Sequence, residues 1–156
     1  MIKKATLKDL NSLAALNREV QQIHHDAFPG IFKPYSKTQV LKSFKQLLKN
    51  KKITILISFN HLNSPVGYIF YEEKKHLKTV FTQSHNVLYI HHIAIKANLQ
   101  KKGAGSDLIK EVIKRAETRN ICRIELDVWS FNSKAKNFFR KNGFNVFNEK
   151  MALDLK

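Results

Sequence analysis

The residues whose types and spacing point most directly to chemistry form a glycine-rich hexapeptide, Gln100-Lys101-Lys102-Gly103-Ala104-Gly105. An apolar run at 87–95 precedes it and an amphipathic run at 106–120 follows, so it lies between a predicted strand and a predicted helix. A helix start presents free backbone amides and the positive end of its dipole, and glycine lets a ligand approach closely. The hexapeptide therefore predicts a site for a phosphate or pyrophosphate group.

Two better-known nucleotide-binding motifs do not fit this hexapeptide. The P-loop requires GxxxxGK followed by Ser or Thr, and the chain contains no such string. The dinucleotide fingerprint requires GxGxxG, but Leu108 occupies the position of the third glycine. The spacing that fits is Q/R-x-x-G-x-G/A. Taken alone, this short pattern leaves an ordinary strand–turn–helix corner as an alternative.

The elements that must position the hexapeptide alternate between strand and helix patterns. Apolar runs predict strands at 2–6, 52–59, 66–73, 87–95, 121–129 and 144–155. Helical spacing predicts a helix through Leu10 and Ile23, a second after Ser36, a third at 106–120, and a fourth at 134–142 that Gly143 ends. The order indicates one α/β (α+β) domain over 1–156, with a mixed, mostly antiparallel sheet of about six to seven strands and about four helices.

Length, composition and cysteine content narrow the class of protein. At 156 residues, 43% of them hydrophobic, the chain is long enough for one domain with a substantial core. No run approaches the ~18 apolar residues that span a bilayer, so no membrane association is expected. The opening MIKKATLKDL lacks the apolar stretch of a signal peptide. The single cysteine, Cys122, excludes an internal disulfide and is interpreted as a small core residue, which favours the cytoplasm.

The chain is strongly basic. Its formal net charge is +16, from 28 Lys and Arg against 12 Asp and Glu. This charge is compatible with nucleic acid, an acidic partner or an anionic cofactor. Because the lysines are spread along the chain in runs no longer than two, a solvated lysine-rich surface is favoured over nucleic-acid binding.

With these features, the chain resembles the GNAT superfamily of acetyl-CoA-dependent N-acetyltransferases over essentially its whole length. Three matches occur in the expected order. The strand IHHIAIKANLQ leads into QKKGAG, and the strand ELDVW is followed by Asn132. The third match is the string A-x-x-F-F-x-K-x-G-F, with Ala135, Phe138, Phe139, Lys141, Gly143 and Phe144.

The resemblance implies how acetyl-CoA binds. The strands at 87–95 and 121–129 are expected to splay apart and leave a V-shaped slot. The pantetheine arm would pair with backbone groups near Ile93, Ala94 and Ile95, and the pyrophosphate would bind the amides from Lys101 to Ser106. Residues from the helix on the other side would flank the cofactor, namely Asn132, Ala135, Phe138 and Phe139.

The 87–95 strand carries the candidates for the general base. Because side chains alternate, Tyr89 and His91 share one face, which by resemblance opens on the acceptor site, while His92 lies on the other. Histidine has an unperturbed pKa near 6.5, which suits a base at neutral pH. His91 is therefore the predicted base, acting directly or through water with Tyr89 beside it. A bulge in the strand would favour His92 instead, and ordinary hydrogen-bonded sheet histidines are the alternative.

One position departs from the family pattern. Many relatives carry tyrosine where this chain has Phe139, and phenylalanine has no hydroxyl with which to protonate a leaving thiolate. Water or another residue would have to do so, or catalysis would be weaker. The substitution also leaves open a domain that only binds acyl-CoA.

The remaining side chains concern the acceptor and metals. The loop at 27–35 carries Phe28, Phe32 and Tyr35, which by resemblance wall the acceptor pocket; anchoring of the loop to the core is the alternative. Glu72 and Glu73 are interpreted as surface carboxylates, and Trp129 as a packing residue. No metal is expected, because the adjacent His24 and His25 cannot both face one ion from a regular helix.

The sequence thus predicts a cytoplasmic N-acetyltransferase that transfers acetyl from acetyl-CoA directly to a primary amine. A covalent intermediate is not expected, because Cys122 has no evident partner base. The alternatives are a non-catalytic acyl-CoA-binding domain and a nucleic-acid or ribosome binder. The acceptor stays open among small amines, amino acids, aminoglycosides and peptide or protein N-termini, and a homodimer is compatible with the resemblance.

Overall fold

A computed structural model of the chain describes residues 1–155, and its centre is one mixed sheet. The strands lie in sequence order across the sheet; neighbours are antiparallel except β4 and β5, which are parallel. The strands are β1 (Ile2–Lys4), β2 (Ile53–Phe59), β3 (Pro65–His76), β4 (His85–Ile95) and β5 (Ile124–Leu126).

In residues 1–155 four helices flank the sheet, in agreement with the predicted number, and they cover both of its faces. One buried cluster joins α1 and α2 to one face, and a second joins α3 and α4 to the other. On α3, the buried residues Leu108, Ile109, Val112 and Ala116 recur at helical spacing, so that face of the helix packs on the sheet. The helices are α1 (Leu10–Ala27), α2 (Lys37–Lys49), α3 (Ala104–Glu117) and α4 (Ser133–Lys141).

The sheet is smaller than the sequence predicts. Within residues 1–155 it has five strands, so the expectation of six to seven is wrong. The apolar alternation at 144–155 forms no strand, and the predicted strand at 121–129 shortens to β5. A strand needs a partner edge as well as a pattern, and β5 offers only a short one. Cys122 precedes β5 and is exposed, which corrects its interpretation as a core residue.

Strands β4 and β5 separate in the region where the resemblance predicts the slot. Only three residue pairs join β4 to β5, ending at Ile90 and Leu126, while β4 continues to Ile95. On its other edge, β4 stays paired with β3 to the end, with one register shift that leaves His91 as an extra, bulged residue. The bulge and the end of the β4–β5 pairing therefore coincide. No helix among the described residues is long and apolar enough to cross a membrane.

Candidate active site

The glycine-rich turn lies between β4 and the first turn of α3. Gly103 is the N-cap of α3 and has a φ of 91°, a left-handed conformation that favours glycine. Lys101 is also left-handed, with a φ of 61°. The first α3 hydrogen bond to the turn runs from the Asp107 amide to the Gly103 carbonyl over 2.9 Å. The chain therefore enters α3 with the backbone amides of the turn not hydrogen-bonded within the protein.

The backbone amides from 101 to 106 are the main chemical feature of this turn. None of the six donates a hydrogen bond to any described part of the chain. Successive free amides at a helix start, with left-handed residues among them, form a concave site for an anion. The turn is held in place by Gln100, whose Nε2 donates to the Ile95 carbonyl over 3.1 Å. These residues fit a pyrophosphate.

Helix α4 packs against this turn. Asn132 caps α4, and its side-chain oxygen accepts a hydrogen bond from the Ala135 amide over 3.0 Å. The Phe138 ring covers Gly105 so closely that a Cβ there would lie 3.0 Å from the ring. Phe139 is buried and packs against Phe138 and Phe144. Of the predicted cofactor residues of α4, Phe138 therefore lies against the turn, while Phe139 is directed into the core.

A pocket of about 310 Å³ lies beside the separated strands. It brings together Tyr89, His91 and His92, the three side chains that the sequence singles out for catalysis. Because the bulge at His91 interrupts the alternation of β4, His91 and His92 both reach this pocket instead of opposite faces. The remaining lining residues are Gln21, His24, Phe32, Asp127 and Trp129.

His91 is held by a carboxylate from the neighbouring strand. Its Nε2 lies 2.8 Å from Oε1 of Glu72. Since a carboxylate only accepts hydrogen bonds, Nε2 carries the proton, and Nδ1 is the basic nitrogen of the neutral ring. Lys74 lies 3.6 Å from the same Glu72 oxygen and helps to neutralise the carboxylate. Both His91 and Glu72 are partly exposed, so solvent reaches the pair.

His92 has a different environment. The Asn17 amide donates to the Tyr68 oxygen over 2.9 Å, which leaves the Tyr68 hydroxyl proton for Nδ1 of His92, also 2.9 Å away. Burial, and to a smaller extent the charge of His24, lower the pKa of His92 to about 4. His92 is therefore neutral near pH 7, its acceptor nitrogen is engaged by Tyr68, and Nε2 carries the ring proton.

Tyr89 is bonded to an acidic residue that follows β5. Its hydroxyl donates to Oδ2 of Asp127 over 2.5 Å. Burial, the hydrogen bond to Asp127 and the charges of nearby carboxylates raise the pKa of Tyr89 above its ordinary value. Lys74 Nζ lies 3.4 Å from the centre of the Tyr89 ring. Tyr89 therefore remains protonated at neutral pH and fixes Asp127 at the pocket.

The three aromatic residues of the 27–35 loop take different positions. Phe32 lines the pocket, with its ring 4.9 Å from that of Trp129. Phe28 packs behind it, 5.7 Å from the Trp129 ring. Tyr35 does not line the pocket; its hydroxyl donates to the Ala14 carbonyl of α1 over 3.0 Å, which anchors the loop.

Comparison with known proteins agrees with this geometry. The model of the acetyltransferase (GNAT) family matches residues 17–144, which is more than half of the chain. The chain belongs to the GNAT acetyltransferase family. Its GNAT fold is shared with a mutant of the BH1408 protein from Bacillus halodurans, at a TM-score of 0.95 and 23% identity, covering 100% of this chain and 99% of that one.

Two further GNAT neighbours have the same fold at lower similarity. An aminoglycoside 6'-N-acetyltransferase from Acinetobacter haemolyticus has a TM-score of 0.77 and 16% identity, over 100% of this chain and 98% of that one. A predicted acetyltransferase with acetyl-CoA from Clostridium acetobutylicum has a TM-score of 0.70 and 18% identity, over 99% of this chain and 95% of that one.

Sequence reasoning missed several side chains of this GNAT pocket. Glu72 is interpreted from the sequence as a surface carboxylate, yet it bonds His91. Trp129 is a pocket wall as well as a packing residue. Asp127, His24 and Gln21 are not predicted from the sequence to line this pocket, and nothing in the sequence around His24 or Gln21 points to it. Asp127 is the one that the sequence could have flagged, because it lies two residues before Trp129 in the strand predicted to border the slot.

No group of three or more potential metal ligands occurs among residues 1–155 of this GNAT chain. The two adjacent histidines of α1 each bond a backbone carbonyl through Nδ1. His24 lies 2.8 Å from the Val20 carbonyl, and His25 lies 2.7 Å from that of Phe32. Because a carbonyl only accepts, Nδ1 of His24 carries the proton, and its Nε2 is the nitrogen free to accept in a neutral ring.

Proposed function

We propose that this GNAT protein transfers the acetyl group of acetyl-CoA directly to a primary amine. The observation that carries the proposal is the set of six free amides at 101–106 beside a pocket that holds a histidine–carboxylate pair. The amides supply the anion site that a nucleotide cosubstrate needs. The pair supplies a base within the neighbouring pocket. The pocket histidines lie on β4, and the amides belong to the turn that follows this strand.

The cosubstrate would be held by this chain's own backbone. The amides from Lys101 to Ser106 would bind the pyrophosphate, and the β4 backbone near Ile93, Ala94 and Ile95 would bind the pantetheine arm. Asn132, Ala135 and Phe138 would border it from α4. Acetyl-CoA, when bound, supplies a thioester whose acyl carbon a neutral amine can attack.

His91 is the proposed general base. With Nε2 committed to Glu72, Nδ1 is free to take a proton from the ammonium form of the acceptor, directly or through water. His92 is unsuited to this role, because Tyr68 engages its acceptor nitrogen and its pKa is about 4. Tyr89 fixes Asp127 and borders the acceptor nitrogen. Overall, an N–C bond forms, the thioester C–S bond breaks, and one proton is released.

The leaving thiolate has no tyrosine to protonate it at position 139. Phe139 has no hydroxyl and is buried in the core, so this position places no proton donor in the slot. Water therefore supplies that proton in the proposed mechanism. A non-catalytic acyl-CoA-binding domain is the second candidate function, and Phe139 is the observation that favours it.

The decisive measurement is calorimetric titration of the full chain with acetyl-CoA, in wild type and in Ala104→Glu. Position 104 is the first residue of α3, where an acidic side chain favours the helix and repels a pyrophosphate. Gly103 is less suitable, because its φ of 91° would strain any replacement. Ala104→Gln is the matched neutral control.

We expect wild type and Ala104→Gln to bind acetyl-CoA, and Ala104→Glu to bind at least about tenfold more weakly. Absence of binding in wild type would overturn the proposed function. Binding without acetylation of any primary amine would favour the non-catalytic alternative.

A further inference from the structure

Five aromatic rings form a cluster beside the acceptor pocket. Three of them, His24, Phe32 and Trp129, line the pocket, and three separate segments contribute the five rings. His24 comes from the last turn of α1, Phe28 and Phe32 from the loop after it, and Trp129 and Phe131 from the segment after β5. The Phe32 ring lies 4.9 Å from both His24 and Trp129, and Phe131 lies 5.6 Å from His24. In this aromatic cluster Phe28 and Trp129 are partly exposed, at 38% and 39%, so the cluster is open to solvent and is not part of the hydrophobic core.

The charge of the pocket is opposite to that of the molecule. The chain has 28 Lys and Arg, yet none of those in the described part of the chain lines this pocket. Its one acidic lining residue is Asp127, whose only hydrogen-bond donor in residues 1–155 is the neutral Tyr89 hydroxyl. Glu72, behind His91, is already paired with His91 and Lys74. The pocket therefore offers a single unneutralised carboxylate.

Size and shape limit the acceptor further. The volume of about 310 Å³ is at the small end of the ~300–1,000 Å³ range of ligand pockets. Six of its eight lining residues carry an aromatic or imidazole ring. Aromatic rings pack well against flat apolar groups, and their faces attract cations. A polyhydroxylated sugar instead needs many hydrogen-bonding partners. The pocket has few such partners to offer, and one of them, the Gln21 side-chain amide, already donates to the Lys33 carbonyl.

We propose that the acceptor is a small primary amine with one positive charge on an aromatic body. Its ammonium would lie near Asp127 and Nδ1 of His91, and its ring would pack between Phe32 and Trp129. A polyamine or an aminoglycoside carries several positive charges, and outside this pocket the surface is dominated by cations that repel them. This inference rests on the proposed function, because it assigns the substrate class of the same site.

The chain carries a built-in probe, since its single tryptophan is Trp129 in the pocket wall. We would titrate the full chain with phenethylamine and follow Trp129 fluorescence, which reports binding without catalysis. Phenethyl alcohol keeps the ring and removes the charge; spermidine keeps charge and removes the ring; kanamycin represents the aminoglycosides. We expect phenethylamine to bind at least tenfold more tightly than each of the others. In an assay of CoA release, it should also have the highest kcat/KM.

Two variants test the placement by calorimetry. Phe32→Ala should weaken phenethylamine binding at least tenfold, whereas Phe147→Ala, an exposed ring outside the pocket, should not change it. Asp127→Asn keeps an acceptor for the Tyr89 hydroxyl but removes the charge. It should weaken phenethylamine binding and leave that of phenethyl alcohol unchanged. Thermal unfolding of each variant establishes that it is folded.

The outcomes separate the two proposals. Tight phenethylamine binding with no acetylation of any amine would retain this inference about the pocket and overturn the proposed transferase function. Acetylation that is more efficient with spermidine or kanamycin than with phenethylamine would retain the transferase and overturn the substrate class. Failure of phenethylamine to bind wild type, or equal binding by Phe32→Ala, would also overturn the inference.

Discussion

His91 and His92 are neighbours in β4, but their hydrogen-bond partners give them different chemistry. Glu72 accepts a hydrogen bond from Nε2 of His91 and leaves Nδ1 free, while Tyr68 donates to Nδ1 of His92. The His91 ring can take up a proton in the pocket. The neutral His92 ring can only donate a hydrogen bond there, through Nε2. A single bulge therefore places a base and a donor side by side.

Removal of the His91 imidazole should reduce turnover. We expect His91→Ala to lower kcat by about 100- to 10,000-fold, the usual contribution of a general base. A general base acts only when it is unprotonated, so the wild-type pH–rate profile should have an acidic limb that the variant lacks. Acetyl-CoA binding by calorimetry should not change. An unaltered kcat and pH profile would contradict the assignment.

In the proposed mechanism Glu72 is a positioning residue, because it would act through His91. Glu72→Gln retains a hydrogen-bonding side chain and removes the charge, so we expect kcat to fall by only about tenfold. The acidic limb of the pH profile should persist in this variant, unlike in His91→Ala. Glu73→Gln, at the adjacent position of β3, is the matched control and should behave like wild type.

The lowered pKa of the half-buried His92 predicts a dependence of stability on pH. Its pKa is about 4 in the folded protein, against about 6.5 in an unfolded chain, so between these values the unfolded state binds more protons. Stability should therefore be complete above about pH 6.5, fall as the pH drops towards 4, and level off below that. The loss attributable to His92 is at most about 3 kcal/mol, reduced by solvent screening.

Denaturant unfolding of wild type and His92→Gln between about pH 7 and 4 would measure this contribution. We expect the variant, which cannot titrate at this position, to lose less free energy of unfolding over that range. Equal slopes for the two proteins would contradict the prediction. His85→Gln is a suitable control, because His85 is exposed and lies at the far end of β4.

At the scale of elements, what the sequence could predict is local. The turn at 100–105 and the Gly143 stop, whose φ is 88°, follow from glycine spacing within a few residues, and the structure confirms both elements. Thr6 and Asp9 have the three-residue spacing of a capping pair, and their side chains are hydrogen-bonded at a short 3₁₀ turn at Leu7–Asp9 before α1. Signals of this kind depend on backbone chemistry that neighbouring residues determine.

The pocket partners depend on tertiary register, which the sequence does not encode locally. Glu72 meets His91 because the two strands shift by one residue between Phe70 and Tyr71. Asp127 meets Tyr89 because β5 is short and the chain leaves the sheet after Leu126. The absence of a strand at 144–155 has the same origin, since apolar alternation cannot reveal whether a free sheet edge exists.

The cap of α4 gives a prediction for an element. Asn132→Ala removes the hydrogen bond to the Ala135 amide and should lower the free energy of unfolding by about 1 kcal/mol. Asn132→Ser, which restores a capping oxygen, should recover most of the loss. Asn145→Ala, at an exposed position after α4, is the control. Denaturant midpoints measure all three, and equal stability of the Ala and Ser variants would argue against the cap.

At the scale of the whole molecule, the net charge of +16 has to be reconciled with the proposed transfer to a small amine. The cations are dispersed, whereas the anion site at 101–106 is built from backbone amides with Lys101 and Lys102 beside them. A dispersed charge attracts any polyanion weakly and without sequence preference. A fixed set of amides binds through short-range hydrogen bonds, which salt screens less.

The two modes of anion binding therefore predict different responses to ionic strength. Between about 50 and 200 mM salt, affinity for a short DNA duplex should fall by ~1,000-fold or more if several phosphates are contacted. Over the same range, affinity for acetyl-CoA should fall by less than about tenfold, because few charges take part. Fluorescence polarisation of a labelled duplex and calorimetry with acetyl-CoA would measure the two. Duplex binding that stays tight at 200 mM salt would instead mean that the basic surface is a nucleic-acid site, because counterion release drives non-specific attraction and is much less favourable at higher salt.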